Sequence, residues 1–292
     1  MAALDIVVLA GDRGPDDPLC RAAGVPAKAL VPVGGVPVLA RVLRVLSACS
    51  EPGARVVCGP TARALDTPCA APDANHPNTL TGWLAATGFN WVAPAQSPAA
   101  SALAAVRTTS GAGRLLLLTT GDHALLTEAI VADFLAGARS AHAAGADLAV
   151  GFVPLARVQA RFPDTRRTPL RFRDGAVCTC NLFALLRPSA LGVIELWRRV
   201  EQDRKRPWKI VRLLGIATLL RYVLGRVTLA EVLARLGRIT GTRIEAVLLD
   251  HATAAVDVDS PADWDLVRDL VEKKVDETIE ANVAKPAAEN QT

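Results

Sequence analysis

Leu4-Asp5-Ile6-Val7-Val8-Leu9-Ala10-Gly11-Asp12-Arg13-Gly14 is the stretch whose reading decides the fold. Ile6 to Ala10 is an unbroken apolar run, which predicts a buried strand. It breaks at Gly11 into a loop rich in Gly, Pro and charge, with Lys28 at its far end. Val38 to Ala48 is apolar again, with Arg41 and Arg44 on one side, and predicts an amphipathic helix. A strand ending in a glycine loop lets backbone N–H groups approach phosphate oxygens closely. The same loop serves equally to turn the chain. It is neither the dinucleotide G-x-G-x-x-G pattern nor a Walker loop with G-K-[ST].

The alternation continues downstream. Ala54 to Cys58 and Phe89 to Ala93 read as short strands around a Pro- and Asp-rich irregular stretch at 60–79. Ser97 is placed to cap a helix with Pro98 at its first position. Arg114 to Thr119 contains Leu115-Leu116-Leu117-Leu118, a buried strand that runs out at Gly121-Asp122. Thr127 to Ala143 reads as a helix and Asp147 to Val153 as a strand. Strand and helix in this order predict an α/β fold with a mostly parallel sheet and helices on both faces. Ligands of such sheets bind beyond the carboxyl ends of the strands, where Gly11, Ser97 and Asp122 all fall.

Residues 155–176 are basic and read as irregular; Ala176 to Ala184, with Asn181, reads as a strand and Leu191 to Gln202 as a helix. A basic turn at 203–209 precedes two apolar helices, Ile210–Leu224 and Thr228–Leu236. Arg243 to Leu249 is the last predicted strand, and a closing helix ends near Val275. The expectation is one domain over 1–275, a helical insertion at about 188–240, and a disordered polar tail at 276–292.

At 292 residues the chain can bury a full core. A formal net charge of +4 is too small to argue for nucleic acid; a phosphorylated substrate or an anionic membrane surface is the more economical partner. The six cysteines form no C-x-x-C pair or zinc spacing, and Cys178-Thr179-Cys180 would place both thiols on one strand face, which suits packing better than metal. A strand starting almost at the N-terminus predicts no signal peptide, hence a cytoplasmic, reducing location with free thiols. No apolar run reaches the about 20 residues of a spanning helix.

Leu9-Ala10-Gly11, Arg13, Pro26-Ala27-Lys28 and Pro32-Val33-Gly34-Gly35-Val36-Pro37 together resemble the signature of the MobA-like NTP transferases. That nucleotidyltransferase family includes the molybdenum-cofactor cytidylyltransferase-like and sugar-phosphate nucleotidyltransferases. The resemblance implies a Rossmann-like GT-A nucleotidyltransferase fold, a three-layer α/β/α sandwich on a mixed, mostly parallel sheet with a C-terminal helical insertion. It implies that Leu9, Ala10 and Gly11 cradle the NTP triphosphate while Arg13 and Lys28 neutralise it. It places Ser97 and Ser101 at the nucleobase. Asp12 stands where family loops usually carry a second Gly, and an Asp near phosphate requires a metal or a turned-away side chain.

Asp122, at a strand end after Gly121, reads from position alone as a hard-cation ligand or as a turn cap. The resemblance makes it the first metal ligand. Asp257 and Asp259 would point the same way on a strand, sharing a cation or repelling each other. By resemblance Asp259 is the second metal ligand, and Asp263 caps the closing helix with Ser260. Asn181 falls where relatives face the acceptor, and a self-satisfied buried Asn is the other reading. His123, next to Asp122, is placed to touch phosphate, and a surface side chain is the simpler reading.

The function these features imply is magnesium-dependent transfer of an NMP group from an NTP, CTP or GTP, to a phosphorylated small-molecule or lipid-like acceptor, with release of pyrophosphate. Lys28, Arg13 and Asp122 are its catalytic residues by that resemblance. The alternatives are a GT-A glycosyltransferase using a nucleotide-sugar, and a non-catalytic nucleotide-binding relative. The basic helices within 203–240 suit a packed insertion, a lid, a homodimer face or a peripheral membrane contact.

Overall fold

The computed structural model describes residues 3–12, 14, 16–49, 53–71, 73, 75–109, 114–163, 165, 168–203 and 215–284. Strand β1 (Leu4–Leu9) lies near the middle of the main sheet, between β4 (Arg55–Cys58) and β6 (Leu115–Thr120), parallel to both. Outside β4 lies β5 (Asn90–Val92), also parallel. On the other side β9 (Gly175–Leu185) runs antiparallel between β6 and β7 (Leu148–Pro154), and β10 (Ile244–Leu248) pairs parallel with β7 at the edge. The order is therefore β10-β7-β9-β6-β1-β4-β5, a mixed and mostly parallel sheet, with β8 (Leu170–Phe172) paired to β9. The pair β2 (Pro32–Val33) and β3 (Val36–Pro37) forms a separate small ribbon.

Alternation of side chains along the central strands divides the core between the two faces. Ile6, Val8 and Leu117 turn to one face and pack with helices α2 (Val38–Ser47) and α6 (Glu128–Ala143). Val7, Leu116, Leu118 and Leu185 turn to the other and meet α5 (Pro98–Thr108), α8 (Leu191–Gln202) and the helix Leu229–Thr240. Each fully buried aliphatic side chain contributes roughly 1.5–3 kcal/mol through transfer out of water, so these two layers hold the sheet in its register. The predicted Rossmann-like α/β/α sandwich is the architecture observed.

Local signals explain the helix starts. Ser97 Oγ accepts from Ala100 N at 3.3 Å with Pro98 at the first helical position of α5. Ser260 Oγ accepts from Asp263 N at 3.2 Å and starts the closing helix Pro261–Ala284. That helix runs on past Val275, and residues 285–292 of the expected tail lie outside the described residues. Trp264 Nε1 donates to Pro32 O at 2.7 Å and fastens the closing helix to the β2–β3 ribbon.

Three stretches differ from their sequence reading. The loop after Gly11 contains a helix, α1 (Pro18–Ala23), begun by Asp17 accepting from Leu19 N at 2.9 Å and ended by Gly24 at φ 66°. The irregular 60–79 stretch includes the short helix α3 (Ala62–Leu65) and leads directly into α4 (Leu80–Thr87). The basic 155–176 stretch folds into α7 (Leu155–Arg161) and the β8–β9 hairpin. The start of the predicted Ile210–Leu224 helix and most of the basic turn before it lie outside the described residues; a helix is present at Ile216–Val223. Among the described residues no helix is long and apolar enough to cross a membrane.

Candidate active site

Parallel pairing of β1 with β6 sets the ends of both strands side by side. Gly121 N donates to Leu9 O at 2.8 Å, which brings the Gly11 loop against the Gly121-Asp122 turn. A Cβ at Gly121 would meet Leu39 Cδ1 at 2.8 Å and Ala10 Cβ at 3.2 Å, so glycine lets the two strand ends approach without moving Leu39. On the other flank Gly59, at φ 90°, lies against Ala10, and a Cβ there would meet the Ala10 carbonyl oxygen at 2.5 Å. Gly11 itself opens outward, with nothing within 4 Å of where a Cβ would stand. Asp12 Oδ1 accepts from Gly14 N at 3.0 Å. That carboxylate is thus engaged with its own loop.

Lys28 begins a short 3₁₀ turn, Lys28–Leu30, and its side chain is largely buried. Nζ donates to Asp122 Oδ2 at 2.6 Å and also to Asp259 Oδ1. The other Asp122 oxygen accepts from Thr120 Oγ1 at 2.5 Å. The Asp122 carbonyl accepts from Val258 N at 3.0 Å, which docks the Asp257–Asp259 segment against the turn. Burial works against the charge on Lys28, but the two carboxylates outweigh it and hold its pKa above the ordinary value. Burial likewise opposes ionisation of Asp122, and Lys28 with the Thr120 hydrogen bond holds its pKa below the usual carboxylate range. The pair is ionised at neutral pH.

Asp257 and Asp259 do not face the same way. The segment is not a strand, because Val258 N bonds across to Asp122 and not within a ladder. Asp257 Oδ2 accepts from Asn181 Nδ2 at 2.8 Å, while Asp259 joins Lys28. Asn181 has φ 51°, the left-handed region that Asn tolerates better than most residues. It sits where the β7–β9 register shifts between Val150 and Phe152. Gly151, at that shift, leaves Cys180 Sγ only 2.5 Å from where a Cβ would be. The bulge thus turns Asn181 toward Asp257 and the cavity.

A cavity of about 700 Å³ opens at these strand ends. Leu9, Gly11, Lys28, Asp122, Asn181 and Asp259 line it, as do Ser97 and Ser101. Ala10 supports the loop from behind. Ser101 Oγ accepts from Ala95 N at 2.9 Å and fixes the Pro94-Ala95-Gln96 wall. Ala99 N, in the first turn of α5, donates to Glu201 of α8 at 3.2 Å, tying these helices together over the cavity. Arg13 lies outside the described residues. His123 is a correction: it is fully buried, and burial pushes its imidazole down to about 4 against the pull of Asp122, so it is a neutral core side chain.

The metal expectation has a geometric basis. Among the described residues no cluster of three or more His, Cys, Asp or Glu forms a metal site. Asp122 and Asp259 nonetheless converge on one point, where the Lys28 ammonium stands as a monovalent cation between them. Two carboxylate oxygens fit magnesium, which commonly takes one or two carboxylates and completes its shell with substrate phosphates and water. Sequence reasoning missed Thr120 and Asp257 as supports. Thr120 had a legible signal, a hydroxyl two residues before the strand-end Asp; Asp257 had none short of the bulge.

Residues 6–167 match the family model of the MobA-like NTP transferase domain, more than half of the chain. The chain belongs to this family. A hypothetical transferase from Thermus thermophilus superposes on the MobA-like chain with a TM-score of 0.69 at 31% identity, over 90% of this chain and 100% of that one. A 4-diphosphocytidyl-2C-methyl-D-erythritol synthase from Anaerococcus prevotii shares the fold at TM-score 0.57 and 9% identity, over 93% and 99% of the two chains. A CMP:2-keto-3-deoxy-manno-octonic acid synthetase in complex with CTP does so at TM-score 0.55 and 14% identity, over 94% and 100%. No functionally curated protein matches the chain. Asn181, Asp257 and Asp259 all lie beyond the span of the family match.

Proposed function

We propose that this nucleotidyltransferase-family protein moves an NMP group from an NTP to a phosphorylated acceptor and releases pyrophosphate. The observation that carries the reading is the Lys28–Asp122–Asp259 cluster beside the open Gly11 loop at the mouth of the cavity. Gly11 amides and Lys28, with Arg13, are assigned to the triphosphate, and Lys28 then offsets charge on the leaving pyrophosphate. A magnesium ion held by Asp122 and Asp259 would supply further charge neutralisation at the phosphates. Thr120 and the Val258 amide keep Asp122 oriented. Asn181, oriented by Asp257, is the proposed acceptor contact. An acceptor phosphate oxygen forms a bond to the α-phosphorus in line, while the bond from that phosphorus to the bridging oxygen breaks and its electron pair leaves with pyrophosphate. Positioning and charge neutralisation are the protein's main contributions.

The proposed donors are CTP and GTP, and the neighbour in complex with CTP supports trying CTP first. A glycosyltransferase reading relies on a paired Asp-x-Asp, and Asp257 here is turned to Asn181. The experiment is pyrophosphate release with magnesium, each NTP in turn and a panel of phosphorylated acceptors, with Asp122→Asn as control. Release that needs one NTP and one acceptor and disappears in the variant supports the reading. NTP binding without release from any pair would favour the non-catalytic alternative.

A further inference from the structure

The cavity has a second end that the reaction above does not use. From Asn181 it continues between α8 and the sheet, where its walls are Leu118, Phe183, Leu185, Val193, Ile194 and Trp197. The register explains why these side chains meet. Leu118 pairs with Phe183, so both turn to the same face of the sheet, and Leu185 follows Phe183 by one full pleat. Val193, Ile194 and Trp197 fall at i, i+1 and i+4 on α8, the spacing of one helix face. Asp12, Lys28, Asp122 and Asp259, the charged residues of the cavity, all belong to the opposite, loop end.

Strand β9 connects the two ends. Asn181, Phe183 and Leu185 alternate along it and all three line the cavity. At about 3.3 Å per residue, the path from Asn181 to Leu185 is roughly 13 Å. A group leaving the acceptor phosphate near Asn181 would therefore pass directly onto Phe183 and then Leu185. A sugar or polyol placed there would bury hydroxyls against hydrocarbon, at a cost of about 1–3 kcal/mol for each one left without a partner. A methylene in the same place gains about 0.8 kcal/mol.

We propose that this alcove receives the hydrocarbon part of the acceptor, which is accordingly the phosphate monoester of an apolar alcohol and not a sugar or polyol phosphate. The phosphate end of this assignment rests on the nucleotidyltransferase reading; the apolar end rests on the walls of the alcove. Phe183 and Ile194 set the specificity by excluding groups that need hydrogen bonds.

The test uses the full chain and a series of n-alkyl phosphates of increasing length, with glycerol phosphate and a hexose phosphate as polar comparisons. Binding is followed by calorimetry and turnover by pyrophosphate release. The expected result is an affinity that rises about fourfold per methylene until the alcove is filled, with release favouring the longer esters. Val193→Asp abolishes the length dependence; Trp197→Ala, at a position more than a third exposed, reduces it. Circular dichroism checks that both variants fold. Turnover of the polar phosphates with alkyl phosphates ignored would overturn the alcove and leave the transferase standing. Length-dependent binding without turnover of any NTP would overturn the transferase and leave the alcove standing. Binding without length dependence overturns the alcove whatever the turnover.

Discussion

Replacing Lys28 by Met tests whether its ammonium holds the two carboxylates together. Lys28 and Asp122 are both mostly buried, at 15% and 19% side-chain exposure, while Asp259 is half exposed. Removing one partner of a buried ion pair costs about 3–5 kcal/mol because the other charge is left unpaired. The exposure of Asp259 puts this case at the low end, about 3 kcal/mol, or a fall in Tm of roughly 5 °C for a chain of this size. The pH dependence also inverts. In the native chain the depressed pKa of Asp122 gives stability that is present above pH 3.8 and lost as pH falls through the folded value. Without Lys28, burial and the charge of Asp259 raise that pKa, so the variant loses stability as pH rises above about 4. Lys28→Met/Asp122→Asn, which no longer buries the charge, regains most of the loss. So does magnesium, by about 2.7 kcal/mol at a hundred times its Kd. Thermal denaturation from pH 4 to 8, with and without magnesium, reads all of this. A Lys28→Met protein with the native Tm, the native pH profile and no response to magnesium would refute the reasoning.

Other expectations follow from the same contacts. Asp122→Asn and Asp259→Asn each lower pyrophosphate release at least about a hundredfold, the scale of losing one electrostatic stabiliser, while circular dichroism stays native. Gly59→Ala brings a methyl to 2.5 Å from the Ala10 carbonyl at φ 90°, and urea denaturation should show a loss of at least about 2 kcal/mol. Ser97→Ala removes the α5 cap and costs about 1 kcal/mol by the same assay. Burial pushes the Cys180 thiol up to about 12 from 9.0. The unfolded thiol therefore ionises first as pH rises above 9, so stability falls by about 2 kcal/mol between pH 9 and 10.5 relative to Cys180→Ala.

Much of the fold was legible because the central strands are apolar runs with abrupt ends. Ile6–Ala10 stops at Gly11 and Leu115–Thr120 stops at Gly121-Asp122, and both stops fall at the site. Asp122 stood next to such a stop, while the roles expected of Lys28 and Asp259 came only from the resemblance to the family. α1 was readable in principle, since Asp17-Pro18 is a helix start and Gly24 a helix end, but the run of Gly, Pro and charge around it read as loop. Asp257 was misread as a partner of Asp259 because alternation assumes a strand, and the Val258 amide bonds to Asp122 instead. The alcove left no trace in the pattern. Phe183, Leu185 and Ile194 have the periodicity of ordinary core and pack in or against it, and nothing in that periodicity marks them as also lining a cavity.

The site is assembled by pairing and not by local sequence. Asp122 is 94 residues from Lys28, and Asp259 is 231 away, yet all three meet at one ammonium. Two backbone bonds account for much of this: Gly121 N to Leu9 O, which sets β6 beside β1, and Val258 N to Asp122 O, which brings the last loop onto the same turn. Each requires a small or open backbone where it forms. A side chain at Gly121 would displace Leu39, and Val258 reaches Asp122 only because its segment is free of a strand ladder. The carboxylates are therefore placed by the sheet itself, before any ligand arrives. The Lys28 ammonium between them keeps two like charges at bonding distance from one point. Under the proposed assignment the triphosphate residue would also hold the two carboxylates together, so that nucleotide and cation binding would be coupled through one side chain.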